Sequence, residues 1–113
     1  MKITITCRHS DFSQKLQDHT ATHVEGLERF GEHFENGEIV FDKEHGKVTC
    51  ELILHRHAGE PFVANDSCDD GRTAIDNVVD KVKRQIIKYK ETHSAKTRRH
   101  DEAAYRSNQS RNK

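Results

Sequence analysis

Six basic residues recur at helical spacing in the second half of the chain, and side chains of this kind can hold phosphate groups. Lys81, Arg84 and Lys88 follow one another at i, i+3 and i+7, which places them in one row along a helix. A second row on the other side of the same helix comprises Arg72, Lys83 and Lys90. An arginine can bridge two phosphate oxygens, whereas a lysine acts as a point charge. The spacing therefore predicts a surface for binding a polyanion, spread over about 30 Å of helix.

The charge of the whole chain is distributed very unevenly. Residues 1–71 carry 7 Lys/Arg and 14 Asp/Glu, a net of 7 − 14 = −7, and residues 72–113 carry 12 and 5, a net of 12 − 5 = +7. A polyanion would be attracted by one end and repelled by the other, so it would bind in a fixed orientation. This pattern favours nucleic acid as the partner. The alternative is a merely solvated helix face, although an ordinary soluble surface intersperses both signs.

The 9 histidines and 3 cysteines offer two other kinds of chemistry. Cys7 and His9 could converge with His55 and His57 on a tetrahedral zinc ion, provided that the first and third strands are neighbours. Alternatively, His55 and His57 could serve as the acid and base of a small RNA-processing enzyme. Neither a CxxC nor an HExxH spacing occurs, and an odd number of cysteines suits reduced thiols. We therefore predict a protein that is not an enzyme, with no cofactor, no metal and no small-molecule substrate. A metal-binding interaction domain and the enzyme are the alternatives.

Hydrophobic periodicity predicts the elements that position these residues. Residues 2–7 alternate and predict a strand, and three more strands are predicted at residues 38–44, at 48–54 and from Pro61 onward. A first helix is predicted from its N-cap Ser13 to Asn36–Gly37. The second helix is predicted from Asp69 and Asp70 to Lys90. Its buried stripe comprises Ile75, Val78, Val79, Val82, Ile86 and Tyr89.

The order β-α-β-β-β-α predicts an α+β fold, in which two helices pack on one face of a four-stranded sheet. We expect this domain to span residues 1–91. Residues 92–113 lack an apolar period, so we expect a basic, disordered tail there. No apolar run has the length of a membrane span or a secretion signal, which favours a cytoplasmic protein without a membrane partner.

The second helix also resembles a known family. The segments Thr73-Ala74-Ile75-Asp76 and Asp80-Lys81-Val82-Lys83-Arg84-Gln85-Ile86-Ile87-Lys88 resemble the signature of the ribosome hibernation-promoting factors, also called ribosome-associated inhibitor or factor Y proteins. The segments Ile3-Thr4-Ile5-Thr6-Cys7-Arg8-His9 and Leu27-Glu28-Arg29-Phe30 resemble the first strand and first helix of that family. The resemblance covers residues 2–91 and implies the same β-α-β-β-β-α fold. It also implies a non-enzymatic protein that binds the small ribosomal subunit near the decoding centre. There it would occupy the places of tRNA and mRNA and idle ribosomes under stress.

The resemblance further implies which residues contact ribosomal RNA. They are Lys81, Arg84, Lys88, Lys83, Lys90 and Arg29. The chain departs from the family at two usually basic positions of the first helix, which are His23 and Gly26, and at a usually aromatic position, which is Arg72. It ends before the second, dimerising domain of the long form, so it resembles the short form.

Overall fold

A computed structural model of the protein describes residues 1–9, 12–30 and 34–102, the last ten by their backbone alone. Its strands and helices are β1 Lys2–Cys7, α1 Gln14–Glu25, β2 Phe34–Glu44, β3 Lys47–Arg56, β4 Phe62–Cys68 and α2 Gly71–Glu102. A short 3-10 helix, Gly26–Phe30, directly follows α1 and is called η1. The predicted α+β fold with the order β-α-β-β-β-α is confirmed.

The four strands form one mixed sheet in the order β1-β2-β3-β4. β1 and β2 are parallel because α1 carries the chain back across the sheet between them. The other neighbours are antiparallel and joined by short turns. In the first turn, His45 and Gly46 have positive φ angles of 52° and 79°, which tight hairpins require.

The core lies between the helices and one face of the sheet. Alternate residues of the two central strands, among them Ile39 and Phe41 on β2 and Leu52 on β3, are 0 % exposed. The residues of α2 that face them, which are also 0 % exposed, are Ala74, Ile75, Val78, Val82 and Ile86. α1 contributes Val24 to the same layer. Because α2 buries apolar residues from Ala74 to Ile86, about three turns, hydrophobic contact holds it firmly on the sheet.

The first helix is shorter than the sequence predicted. It begins as expected, since the Ser13 hydroxyl oxygen accepts a hydrogen bond of 3.1 Å from the backbone N–H of Leu16. It ends at Glu25, however, and the backbone tightens into η1 from Gly26 onward. Glycine is among the residues that stabilise an α-helix least, which explains why the change occurs at this position.

The second strand correspondingly begins earlier than predicted, at Phe34. Asn36–Gly37, which was predicted to close the first helix, lies inside β2 instead. A Cβ atom on Gly37 would come within 3.3 Å of Val24 and 3.4 Å of Leu54. The glycine therefore permits the close approach of α1 to the sheet and does not mark the end of a helix.

The second helix starts where it was predicted and extends further. Asp70 caps it by accepting a hydrogen bond of 3.1 Å from the N–H of Thr73, and its bonds with Thr73 lower the pKa of Asp70. The helix continues past Glu91 to Glu102, through the first half of the predicted tail. Residues 103–113 lie outside the described part of the chain, so the division into a domain of 1–91 and a tail of 92–113 stays a prediction. None of the described helices is long and apolar enough to cross a membrane.

Candidate nucleic-acid interface

Helix α2 turns its apolar side to the sheet and leaves its basic residues on the remaining sides. Ile75, Val78 and Val82 are completely buried, and the helical repeat places the cations on both flanks of this stripe. Row 1 is defined as Lys81, Arg84 and Lys88, and row 2 as Arg72, Lys83 and Lys90. Lys81, the first residue of row 1, lies on the side of α2 that faces β4. Lys90, the last residue of row 2, lies on the side that faces η1.

Lys81, the first residue of row 1, forms hydrogen bonds with the edge strand β4. The Lys81 Nζ donates to the carbonyl oxygen of Asn65 at 2.9 Å and to Asp66 Oδ1 at 3.3 Å. One turn further along, the Gln85 Nε2 donates to the carbonyl oxygen of Val63 at 2.8 Å. β4 pairs with β3 on its other side, so these two side chains occupy backbone acceptors that an edge strand leaves open. These polar contacts thus attach α2 to the sheet and supplement the apolar contacts of the core.

The carboxylate of Asp66 fixes the position of Lys81. Asn77 Nδ2 donates to Asp66 Oδ2 at 2.8 Å, and the thiol of Cys68 donates to the same oxygen at 3.1 Å. These hydrogen bonds, together with the weaker contribution of Lys81, lower the pKa of Asp66 to about 2. Asp66 is therefore an anion at neutral pH. Its hydrogen bond is also the main cause of the raised pKa of the Cys68 thiol.

The other members of row 1 project into solvent. Arg84 is 77 % exposed, and its Nη2 lies 2.8 Å from Asp80 Oδ2 one turn earlier. Lys83 of row 2 lies 3.8 Å from the other oxygen of Asp80. Lys88 is exposed and makes no ion pair within the described residues. Exposed ion pairs contribute only about 0–1 kcal/mol, so a phosphate can replace Asp80 as the partner of Arg84 at little cost.

One residue of row 2 is closely engaged with the protein itself. The Nζ of Lys90 is partly buried and donates to the carbonyl oxygen of Phe30, 2.5 Å away, which joins α2 to the end of η1. Arg72 is exposed at the start of α2. Arg29 is also exposed on η1, on the far side of the α1–η1 junction. Of the six residues predicted to contact RNA, the structure brings Arg84 and Lys88 together as outward-facing cations, with Lys81 beside them. Their role in RNA binding stays a prediction.

The convergence on which the alternative of a zinc site on the strands depended does not occur. β2 lies between β1 and β3, so the condition of adjacent strands is not met. Cys7 packs against the core, whereas His55 lies on the open face of the sheet with its Nε2 2.8 Å from Glu38 Oε2. His57 is exposed in the turn after β3. His55 and His57 thus have different surroundings, and His55 is held by a carboxylate of the protein.

Two contacts at row 1, which involve Asp66 and Gln85, were not predicted from the sequence. Asp66 precedes its partner Lys81 by 15 positions, and Gln85 lies 22 positions from the carbonyl group that it occupies. Only the placement of α2 beside β4 brings these groups together. No local spacing signals such contacts, so periodicity alone could not have found them.

The sequence is similar to two ribosome hibernation promoting factors. It is 32 % identical over 91 residues to the one from Azotobacter vinelandii, an alignment that covers 80 % of this chain and 84 % of that protein. It is 33 % identical over 94 residues to the one from Pseudomonas putida, with coverage of 80 % and 88 %. The resemblance noted from the segments of α2 is therefore confirmed by alignments that cover 80 % of the chain.

Two solved structures share the fold. The N-terminal domain of Thermus thermophilus Protein Y superposes with a TM-score of 0.69 at 19 % identity, over 79 % of this chain and 99 % of that one. A ribosomal subunit interface protein from Coxiella burnetii gives 0.69 at 24 % identity, over 80 % and 99 %. In addition, residues 3–94 match the family model described as sigma 54 modulation protein / S30EA ribosomal protein. The chain therefore belongs to the family of sigma 54 modulation proteins and S30EA ribosomal proteins.

Proposed function

We propose that this protein binds the small ribosomal subunit through ribosomal RNA and inhibits translation by occupying the places of tRNA and mRNA. Two relatives that are 32 % and 33 % identical over 91 and 94 aligned residues are named ribosome hibernation promoting factors, which supports the ribosome as the partner. The protein acts by occupancy and catalyses no reaction. It works in the cytoplasm, where it idles ribosomes under stress.

The observation that carries this proposal is row 1, a line of exposed cations on a helix that the core holds in place. Lys81 and Lys88 are separated by seven residues, so the row spans about 10 Å along α2. Because the helix is already ordered, contacts with phosphates do not require the folding of a segment on binding. Arg84 can hold two phosphate oxygens, with a lysine on either side.

The acidic remainder of the domain supports a single binding orientation. Residues 1–71 have a net charge of 7 − 14 = −7 and are repelled by an RNA surface that attracts α2. Asp66 and Asp80 each hold a cation of row 1 and so compete with a phosphate for it, but the contact of Asp80 with the 77 % exposed Arg84 is weak enough for a phosphate to replace.

The proposal is tested by reversing the charge of row 1 in the variant Lys81→Glu, Arg84→Glu, Lys88→Glu. Purified 30S subunits are sedimented with the wild type and with the variant. We expect the variant to lose at least about a hundredfold in affinity, since three phosphate contacts become repulsive. A variant that still sediments with the subunit, and whose circular dichroism spectrum is native, contradicts the role of row 1.

The matched control reverses three lysines elsewhere, in the variant Lys2→Glu, Lys15→Glu, Lys47→Glu. It changes the net charge by the same amount, so an equal loss of binding would mean that only the total charge matters. The proposed location is tested separately by competition, in which bound protein should displace tRNA from the subunit. Affinity should also fall with salt, with a slope of about −0.7 to −0.9 for each phosphate neutralised.

A further inference from the structure

Three side chains of metal-binding type meet where α1 packs beside α2. His19 and His23 are spaced i, i+4 on α1, which places both rings on the same face of the helix. Asp76 reaches them from α2, with its Oδ1 2.8 Å from the Nε2 of His19 and 3.6 Å from the Nε2 of His23. The two rings lie side by side, with their centroids 4.1 Å apart.

The distances between these atoms suit a shared metal ion. Ligands about 2.0–2.1 Å from a tetrahedral zinc ion are roughly 3.3 Å from one another. The distances from Asp76 Oδ1 to the two Nε2 atoms lie on either side of that value, and all three ligand atoms are within 4.8 Å of one another. His23 and Asp76 are 43 % and 46 % exposed, so their side chains have room to adjust toward an ion.

We propose that His19, His23 and Asp76 form a zinc site that joins α1 to α2. Two imidazole nitrogens and one carboxylate oxygen are ligands that zinc accepts, and water would complete the coordination because His23 and Asp76 are 43 % and 46 % exposed. The ion takes the place of the proton between the Nε2 of His19 and Asp76 Oδ1, and that proton is released to solvent. This inference goes beyond the proposed function, since ribosome binding through row 1 does not require a metal.

The backbone around the site is already fixed in the folded protein. Thr20 and Val24, which lie beside the two histidines on α1, are 0 % exposed, and Ile75 next to Asp76 is equally buried. The ligands are therefore supplied by two elements that the core holds together. Such preorganisation lowers the entropy cost of binding an ion, because only side-chain rotamers need to be fixed.

The site is tested by titrating zinc chloride into the full-length protein after metal has been removed with a chelator and the chelator dialysed away. Calorimetry should show one ion per chain with a dissociation constant in the micromolar range or below. Cobalt(II) should give the strong visible absorption of a four-coordinate ion. Zinc should also raise the melting temperature, because it binds the folded state.

Two variants remove a ligand with little change in shape, namely Asp76→Asn and His23→Gln. Each should weaken zinc binding by at least about tenfold, because even the loss of a group that only supports a ligand has an effect of this size. The control His57→Gln removes an exposed histidine of another region and should bind zinc as the wild type does. The absence of zinc binding by the wild type overturns the proposal. Equal affinity in the wild type and Asp76→Asn also overturns it, because the ion would then be held by other residues.

Discussion

The two helices pack on the same face of one sheet, yet they differ in length, continuity and charge. Residues 71–92 of α2 carry 6 Lys/Arg and 3 Asp/Glu, a net of 6 − 3 = +3. Residues 14–30, which form α1 and η1, carry 2 and 3, a net of 2 − 3 = −1. α2 also has no glycine or proline after Gly71, whereas the helical segment of α1 changes its geometry at Gly26.

This difference shows how one layer of a small domain can serve two purposes. α2 is both the main apolar cover of the sheet and the carrier of the exposed cations, so its charges are presented from a rigid support. α1 completes the core through Val24 but offers little positive charge, because the two positions at which the resemblance implies a basic residue hold His23 and, at the start of η1, Gly26. A neutral histidine adds little charge at pH 7 and a glycine adds none. We therefore expect RNA binding to depend on α2 far more than on α1.

The largest expected effect concerns the anchoring of the two helices. Ile86 on α2 is 0 % exposed and Leu27 on η1 is 1 % exposed, and both lose the same number of carbon atoms on substitution by alanine. Ile86→Ala should lower the free energy of unfolding by about 3–5 kcal/mol. Leu27→Ala should lower it by only about 2–3 kcal/mol, because we expect the residues around the short helix η1 to move into the cavity more easily. Urea unfolding measures both values. A larger loss for Leu27→Ala would reverse the comparison.

The next effect concerns the attachment of α2 to β4 and depends on pH. The pKa of Asp66 is lowered to about 2 in the folded protein, so its contribution to stability is present above the unfolded pKa near 3.8 and is lost as pH falls through about 2. Asp66→Asn should therefore be less stable than the wild type by about 1–2 kcal/mol at pH 7, with a difference that shrinks below pH 4. Thermal unfolding across pH 2–7 measures it. Asp69→Asn is the control, since Asp69 is 86 % exposed, and a pH-independent gap for Asp66→Asn would contradict the assignment.

A smaller effect is expected from the carboxylate that competes for row 1. Asp80→Asn releases Arg84 and Lys83 from their ion pairs and removes one negative charge from α2, which raises its net charge by one. RNA affinity should rise by about two- to fivefold, since an exposed ion pair contributes at most about 1 kcal/mol. Glu25→Gln on α1 makes the same change in charge and should leave the affinity unchanged. Equal gains in both variants would show that the position of the charge has no influence, and sedimentation with 30S subunits distinguishes these results.

The smallest effect tests whether Gly26 alone weakens the first helix. Its φ and ψ of −62° and −18° are helical, and a Cβ atom there would meet only the Arg29 side chain at an ordinary 3.7 Å. Gly26→Ala should therefore stabilise the protein by about 0.4–1 kcal/mol, mainly by restricting the unfolded chain. Chemical unfolding measures the gain. A loss of stability would mean that η1 requires glycine for a reason other than propensity.

The sequence predicts the fold well because its alternating strands and its second helix have clear periods. The helical spacing of Ile75, Val78, Val82 and Ile86 predicts the buried face of α2, and all four residues are 0 % exposed. The predicted end of the first helix was wrong because Leu27, Phe30 and Phe34 also fit a helical period, although Phe34 already belongs to β2. Periodicity cannot distinguish one long helix from a helix, a 3-10 turn and a strand when apolar residues happen to keep the spacing.

The candidate site could be predicted only in part. The two rows of cations follow from spacing along one helix. Their partners do not, because Asp66 and the carbonyl group of Asn65 belong to another strand. In the same way, the spacing of His19 and His23 is visible in the sequence, but Asp76 lies on a different helix and joins them only through packing. Contacts between elements are the information that a local pattern lacks.

The contacts of Lys81 and Gln85 with β4 have a consequence for how copies of the protein meet. A bare outermost strand can accept a strand from a neighbouring molecule and so start open-ended association. Two acceptors of β4 are already taken by α2, which disfavours such stacking in the free protein. Under the proposed function Lys81 turns to a phosphate, which would uncover the carbonyl group of Asn65 and remove part of this protection.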